Sequence, residues 1–232
     1  MAKSLNLYAK VEDLLGVSDV APTLYSHYFR TLERLEFNSL LDIGCGRGEF
    51  LAKLQQFYPK KEFIGIDLSS VMVEIAENRG VRAYCMDISE VKGRFDIITA
   101  VFDMVNYLEP KLLRPFLKSV EERLKGGGYF ICDINSYYAF SDLAVGAYIR
   151  DNNRRFVTVD SFFEDNIYYS EFTLFEKEAN GLFKKSQESI LQYYYSIEDL
   201  SRFSSLKLIS QSGVSVYGNE VEKHYLIFRK LE

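Results

Sequence analysis

Through the first 135 residues, short apolar runs bounded by turn residues alternate with stretches whose apolar positions recur every three or four residues. That order is expected of a parallel sheet covered by helices. It predicts strands at 39–43, 62–66, 81–85, 95–101 and 129–133, and helices at 49–57, 70–78 and 111–124. Ser69 or Ser70 can cap the second of these helices and Asn78-Arg79-Gly80 can end it. Gly126-Gly127-Gly128 is expected to break the chain between the long helix and its next strand. An amphipathic segment at 21–36 precedes the first strand and should pack on the sheet.

After Asp133 the period changes. Extended patterns at 154–164, 167–178 and 182–193 are separated by Asp165-Asn166 and Asn180-Gly181, and Asn-Gly is the strongest short hairpin signal. They predict an inserted three-stranded antiparallel meander. A short helix at 196–203 and strands at 206–211 and 222–229 follow, which would bring the main sheet to seven strands. The expected division is a helical segment at 1–38, a ligand-binding domain formed by 39–135 and 196–232, and an inserted subdomain at 136–195.

The chain's 232 residues can bury a substantial core without staples. Cys45, Cys85 and Cys132 are widely separated and form no Cys-x-x-Cys or Cys/His cluster, which argues against structural zinc and a disulfide framework and predicts no metal. The leading residues hold no secretory apolar core and no run reaches a membrane span, so a cytoplasmic protein without membrane partners is expected. The formal charge is −5, and Lys60-Lys61, Arg154-Arg155 and Lys184-Lys185 are dispersed, so no nucleic-acid partner is expected. Aromatic residues reach 15% with no Trp, and the tyrosines concentrate in the C-terminal half, where they can line a pocket or simply serve strands.

The chemistry is concentrated at three strand ends. Asp42-Ile43-Gly44-Cys45-Gly46-Arg47-Gly48-Glu49 lies between a strand and a helix, where glycines let the backbone turn tightly and the free N–H groups of a helix start can hold a carboxylate. A dinucleotide site would place its last glycine where this chain has Glu49, which disfavours a dehydrogenase. The carboxylates of Asp42 and Glu49 suit a ligand carrying an ammonium or sulfonium rather than a pyrophosphate. Asp67 ends the next strand about 20 residues beyond the glycines, where a carboxylate can accept from both hydroxyls of a ribose. Met86-Asp87-Ile88 follows the third strand and offers apolar walls and an acceptor of the kind adenine needs, although Asp87 alone would also serve as a helix cap. Met72 can complete that wall or pack in the core.

Together these residues resemble the class I S-adenosylmethionine-dependent methyltransferases, and the resemblance covers residues 40–135. It implies a Rossmann-like, seven-stranded, mostly parallel sheet with helices on both faces, closed by an antiparallel last strand at 222–229. It implies S-adenosylmethionine as cofactor, with Asp42, Gly44, Cys45 and Gly46 around its methionyl part, Asp67 and Leu68 at the ribose, Met72, Met86, Asp87 and Ile88 at the adenine, and Phe102 beside them. The segment Phe102-Asp103-Met104-Val105-Asn106-Tyr107-Leu108 and the antiparallel insertion look most like small-molecule N- or O-methyltransferases. The Asn/Asp-Pro-Pro-Tyr motif of adenine-amino and protein-glutamine methyltransferases is absent.

The expected partner is therefore a small-molecule methyl acceptor. Its candidate contacts, at the C-terminal edge of the strands, are Asp103, Asn106, Tyr107, Asn135, Tyr137 and Tyr138, with Asp103 and Tyr107 as catalytic candidates. Helix capping for Asp103 and core packing for Tyr107 are equally weighted structural alternatives. His27 and His224 fall in a helix and a strand and read as structural. The inserted sheet, ending in Gln192-Tyr193-Tyr194-Tyr195, would close over the acceptor or form a homodimer surface. The alternative to an enzyme is a catalytically silent binding or interaction module on the same fold.

Overall fold

The computed structural model describes the backbone of residues 2–232 and the side chains of residues 6–16 and 19–232. Met1 and the side chains of residues 2–5, part of the segment read above for a secretory core, lie outside the described residues. Helices α1 (Ala2–Val11) and α2 (Val17–Leu32) lead into an alternating run: β1 (Ser39–Ile43), α3 (Glu49–Phe57), β2 (Glu62–Asp67), α4 (Ser70–Asn78), β3 (Ala83–Cys85), β4 (Phe95–Ala100), α5 (Pro110–Arg123) and β5 (Leu124–Asn135). Then come β6 (Gly146–Asp151), β7 (Arg155–Glu164), β8 (Ile167–Lys177), β9 (Phe183–Tyr193), α6 (Ile197–Phe203), β10 (Lys207–Val214) and β11 (Lys223–Arg229).

The main sheet has seven strands in the order β10-β11-β5-β4-β1-β2-β3. All are parallel except β11, which runs antiparallel between β5 and β10. Every residue of β1 is buried, because helices cover both faces of a central parallel strand. Alternation sends Leu41, Ile98 and Phe130 to one core with Leu113, Leu117 and Leu200. Leu40, Ile97 and Ile131 go to the other, against Leu24, Tyr28, Leu51 and Val73. Since β1 lies between β2 and β4, the chain reverses its direction of winding there, and a crevice opens at the strands' C-terminal ends.

The structure corrects four local expectations. The inserted sheet has four strands, not three, because β6 pairs with the free edge of β7. All six β6 residues are exposed, so no buried face imprints a period on its sequence. The glycine run does not break the chain, since β5 begins at Leu124 and passes through it. Gly127 takes φ +73° there, and the register with β4 shifts between Phe95 and Ile97, so the glycines make an irregularity within a continuous strand. The third strand starts at Ala83 rather than Val81, whose backbone N–H closes helix α4 onto Ala76. The tight two-residue turn falls on Asp165-Asn166, with φ of 51° and 63°, while Asn180-Gly181 sits in a wider loop where the Asn180 side chain accepts from Leu182 N.

A third core lies outside the main sheet. Leu7, Val11 and Leu14 of the N-terminal segment pack against Val157, Val159, Phe172, Leu174 and Ile190 on the inner face of the inserted sheet. Helix α1 and the insertion are thus joined by apolar burial across most of the chain's length.

Candidate functional site

The glycine loop leaves β1 by bonding to its neighbour: Gly44 N and Cys45 N both donate to Ile66 O, at 2.8 and 3.0 Å. Gly44 and Gly46 take φ of +68° and +51°, a region closed to most side chains. A Cβ on Gly44 would collide with Met104, whereas one on Gly46 would meet nothing within 4 Å. Gly44 therefore allows close packing, and Gly46 opens onto empty space. Gly46 N donates to Asp67 Oδ2 at 2.9 Å and Ser69 N to Asp67 Oδ1 at 2.8 Å, tying the loop to the end of β2. Ser69 caps α4 through Met72 N, which leaves Asp67 free of that duty.

These elements surround a cavity of about 430 Å³, within the range of small-molecule sites. Asp42, Gly44, Cys45 and Gly46 line it from the loop. Asp67, Leu68 and Met72 line it from the end of β2 and the start of α4. Met86, Asp87, Ile88 and Phe102 complete the set, so all eleven residues predicted for the cofactor meet in one space. Asp87 also caps a single helical turn through Ser89 N at 2.9 Å, so it carries the structural role as well as its place on the wall.

The cavity's electrostatics favour a cation. Burial pushes the Asp42 carboxyl up to about 7, against the pull of the Thr99 hydroxyl, which donates to Asp42 Oδ1 at 2.6 Å. Burial likewise raises Asp67, against the N–H groups of Ser69 and Gly46. The N-terminal segment adds Tyr8, Glu12 and Asp13 to the lining, and Arg47 stands 4.0 Å from Glu12. Among the described residues, Glu12 Oε2 and Arg47 Nε are buried in this wall without a hydrogen-bond partner. Such orphaned polar atoms are costly unless a ligand or water meets them. An acceptor and a donor beside the glycine loop match the ammonium and carboxylate of an amino-acid ligand, and the residues fit the group.

A second cavity, about 200 Å³, adjoins the first, and Tyr8, Phe102 and Tyr107 line both. Asp103 and Asn135 line the second, as expected for acceptor contacts. Three other candidates do not meet there. Asn106 is fully buried, donates to Tyr193 O at 2.8 Å and accepts from Asn135 N at 2.9 Å, so both ends of its amide join structural elements. Tyr137 is exposed and packs edge-on against Phe163 and Tyr194, and Tyr138 is also exposed; both lie outside the linings of these two cavities. His27 packs against Tyr225, whose strand also carries His224, and both histidines lie outside the two linings.

Asp103 does not act as a side-chain cap: its carboxylate makes no bond to the turn that follows. Phe102 and Asp103 instead adopt φ of 57° and 48°, a left-handed conformation costing about 1–2 kcal/mol per residue. Asp133 holds it, accepting from Phe102 N and Asp103 N at 2.8 Å each and from the Tyr28 hydroxyl at 2.6 Å. Sequence reasoning missed Tyr8, Tyr168, Tyr217 and Lys223 on the second cavity, since no local motif surrounds them, whereas Gln192, from the cluster expected to close over the acceptor or form a dimer surface, lines it.

Residues 40–128 match the family model described as a methyltransferase domain. The malonyl-[acyl-carrier protein] O-methyltransferase of Priestia megaterium is 27% identical over 220 residues, covering 90% of this chain and 68% of that protein. A solved S-adenosylmethionine-dependent methyltransferase from Clostridium acetobutylicum superposes with a TM-score of 0.79 at 27% identity, covering 98% of this chain and 99% of that one. The sugar N-methyltransferase KedS8 from Streptoalloteichus has a TM-score of 0.76 at 18% identity, over 96% of this chain and 93% of that one, a likeness of fold. Residues 40–128 thus match a methyltransferase domain, and the chain as a whole has the fold of a solved S-adenosylmethionine-dependent methyltransferase.

Proposed function

We propose that the protein transfers a methyl group from S-adenosylmethionine to a nitrogen or oxygen of a small molecule seated in the second cavity. One observation carries the reading: two adjoining cavities share Tyr8, Phe102 and Tyr107 as a common boundary. The bound cofactor supplies a methyl group already activated by a positive sulfur, so alignment and exclusion of water can carry most of the catalysis.

The larger cavity's residues divide the binding work. Asp67 accepts from the ribose, Met86, Asp87 and Ile88 enclose the adenine, and the Gly44–Gly46 turn with Asp42, Glu12 and Arg47 receives the charged amino-acid end. At the boundary, burial raises Tyr8 and Tyr107 well above the ordinary phenol range, so both stay protonated and serve as donors and walls rather than bases. The second cavity, roughly seven water volumes in size, suits a single sugar ring or amino acid.

The inserted sheet is proposed as a cover for the acceptor. Tyr168 and Gln192 reach the second cavity from it, and Gln192 Nε2 donates to Asp103 Oδ2 at 2.5 Å, which supports a lid rather than a dimer surface. Isothermal titration with S-adenosylmethionine, followed by a methyl-transfer screen over amines, hydroxyl compounds and amino sugars, tests the reading. Saturable binding with turnover of at least one acceptor class is expected. A folded protein that does not bind the cofactor, or binds it and turns over nothing, would refute it.

A further inference from the structure

Lys223 opens β11, yet its side chain is only 10% exposed. Its ammonium donates to Asp103 Oδ1 and, at 2.8 Å, to Asn135 Oδ1, and it stands 3.3 Å from Asp133 Oδ2. Each of its three protons thus has an oxygen within reach. The two carboxylates it touches shape the strained turn: Asp133 accepts the N–H groups of Phe102 and Asp103, and Gln192 holds the other oxygen of Asp103. Nearby, the Glu222 carboxylate accepts from the N–H groups of Val216, Tyr217 and Gly218, so it is held away from the Lys223 ammonium by other donors.

Without the ammonium, Asp103 and the fully buried Asp133 would repel each other uncompensated, which works against the grip of Asp133 on the two backbone N–H groups. Burial by itself would pull the Lys223 amine down, but the two carboxylates outweigh it and hold it above the ordinary lysine range.

We propose that Lys223 is a positioning residue of the transfer site: it neutralises Asp103 and Asp133 so that they hold the left-handed Phe102–Asp103 turn, and with it the boundary between the two cavities. The catalytic consequence rests on the function proposed above, whereas the geometry can be tested without turnover.

The test compares wild type with Lys223→Met and with Lys223→Met combined with Asp103→Asn. Amide hydrogen exchange is followed by NMR in the cofactor-free protein. In Lys223→Met, exchange at Phe102 and Asp103 should quicken at least tenfold while core amides such as Ile98 and Phe130 stay within threefold. Adding Asp103→Asn removes the repulsion and should restore protection to within threefold of wild type, a rescue that a space-filling lysine would not give. Equal protection in Lys223→Met, no rescue in the double variant, or uniform loss across the core would overturn the proposal.

A measurement on the wild type covers the case in which a variant does not fold. With labelled lysine, Lys223 must be an ammonium at pH 8; a neutral amine overturns the idea. With an acceptor in hand, kcat should fall at least tenfold in Lys223→Met while calorimetric affinity for S-adenosylmethionine stays within threefold. Absence of cofactor binding by the wild type would refute the proposed function and leave the exchange result to judge Lys223 separately.

Discussion

The larger cavity draws most of its wall from successive strand ends of one sheet, whereas the smaller one is assembled from α1, α2, the turn after β4, the end of β5, the inserted sheet and the start of β11. In the first, lining residues follow the chain's own order, and backbone geometry shapes the wall through Gly44, Gly46 and the N–H bonds to Asp67. In the second, side chains far apart in sequence meet through a charge network centred on Asp103, Asp133 and Lys223. The larger cavity can thus be specified by short local patterns, while the smaller one also draws on segments, such as the inserted sheet and the start of β11, that take no part in the larger.

The sharpest way to break this contrast is Asp67→Ala. Removing a charge-assisted acceptor should lower affinity for S-adenosylmethionine by about 1.5–3 kcal/mol, roughly ten- to 150-fold, as read by calorimetry on a folded variant. Unchanged affinity would show that the ribose does not lie at the end of β2.

Next in size is Asn106→Ala, which orphans Asn135 N and Tyr193 O. Denaturant unfolding should show about 2 kcal/mol of lost stability, with cofactor affinity within twofold. A large loss of affinity at full stability would return Asn106 to the site.

Asp42 is expected to give a pH-dependent effect. Its carboxyl ionises near 7 when folded and near 3.8 in the unfolded chain. Between about pH 4 and 7 the folded protein therefore keeps a proton that the unfolded chain has lost, so stability falls as pH rises through that window and levels off above it. A cationic ligand favours the ionised carboxylate, so affinity for S-adenosylmethionine should rise toward pH 7 by up to about tenfold per pH unit. Asp42→Asn should flatten both slopes, the raised Asp67 contributing what remains; an unaltered slope in the variant would contradict the assignment.

The smallest effect is expected at Tyr137, which is 53% exposed and lines neither cavity. Tyr137→Ala should leave turnover and cofactor affinity within twofold, and a larger change would extend the acceptor site over the outer aromatic cluster.

The difference between the cavities also explains how much could be read from the chain. Strands β1, β2 and β4 and helices α3 and α4 announce themselves because burial on one or both faces imprints a period, and capping residues mark their ends. The seven-stranded sheet and the meeting of the eleven candidate cofactor residues in one cavity follow from those elements, since each of these residues lies within a few positions of a strand end. Strand β6, with no buried face, carried no such signal. For Asp103 and Asn106, three positions apart after β4, local pattern could not separate roles: one carboxylate reaches the cavity and the other side chain turns inward to join β5 and β9.

By itself, then, the sequence determined the alternating fold, the glycine turn and the cofactor whose parts its strand ends suit, because these depend on interactions within tens of residues and on backbone conformation. Tertiary structure alone decided that Tyr8 and Tyr107 stand at one boundary, that Gln192 reaches Asp103, and that Lys223, 120 residues from Asp103, supplies the balancing charge. The physical reason is that buried charges and cavity walls are satisfied by whatever the packed elements bring within hydrogen-bond distance, and that proximity leaves no periodic trace along the chain.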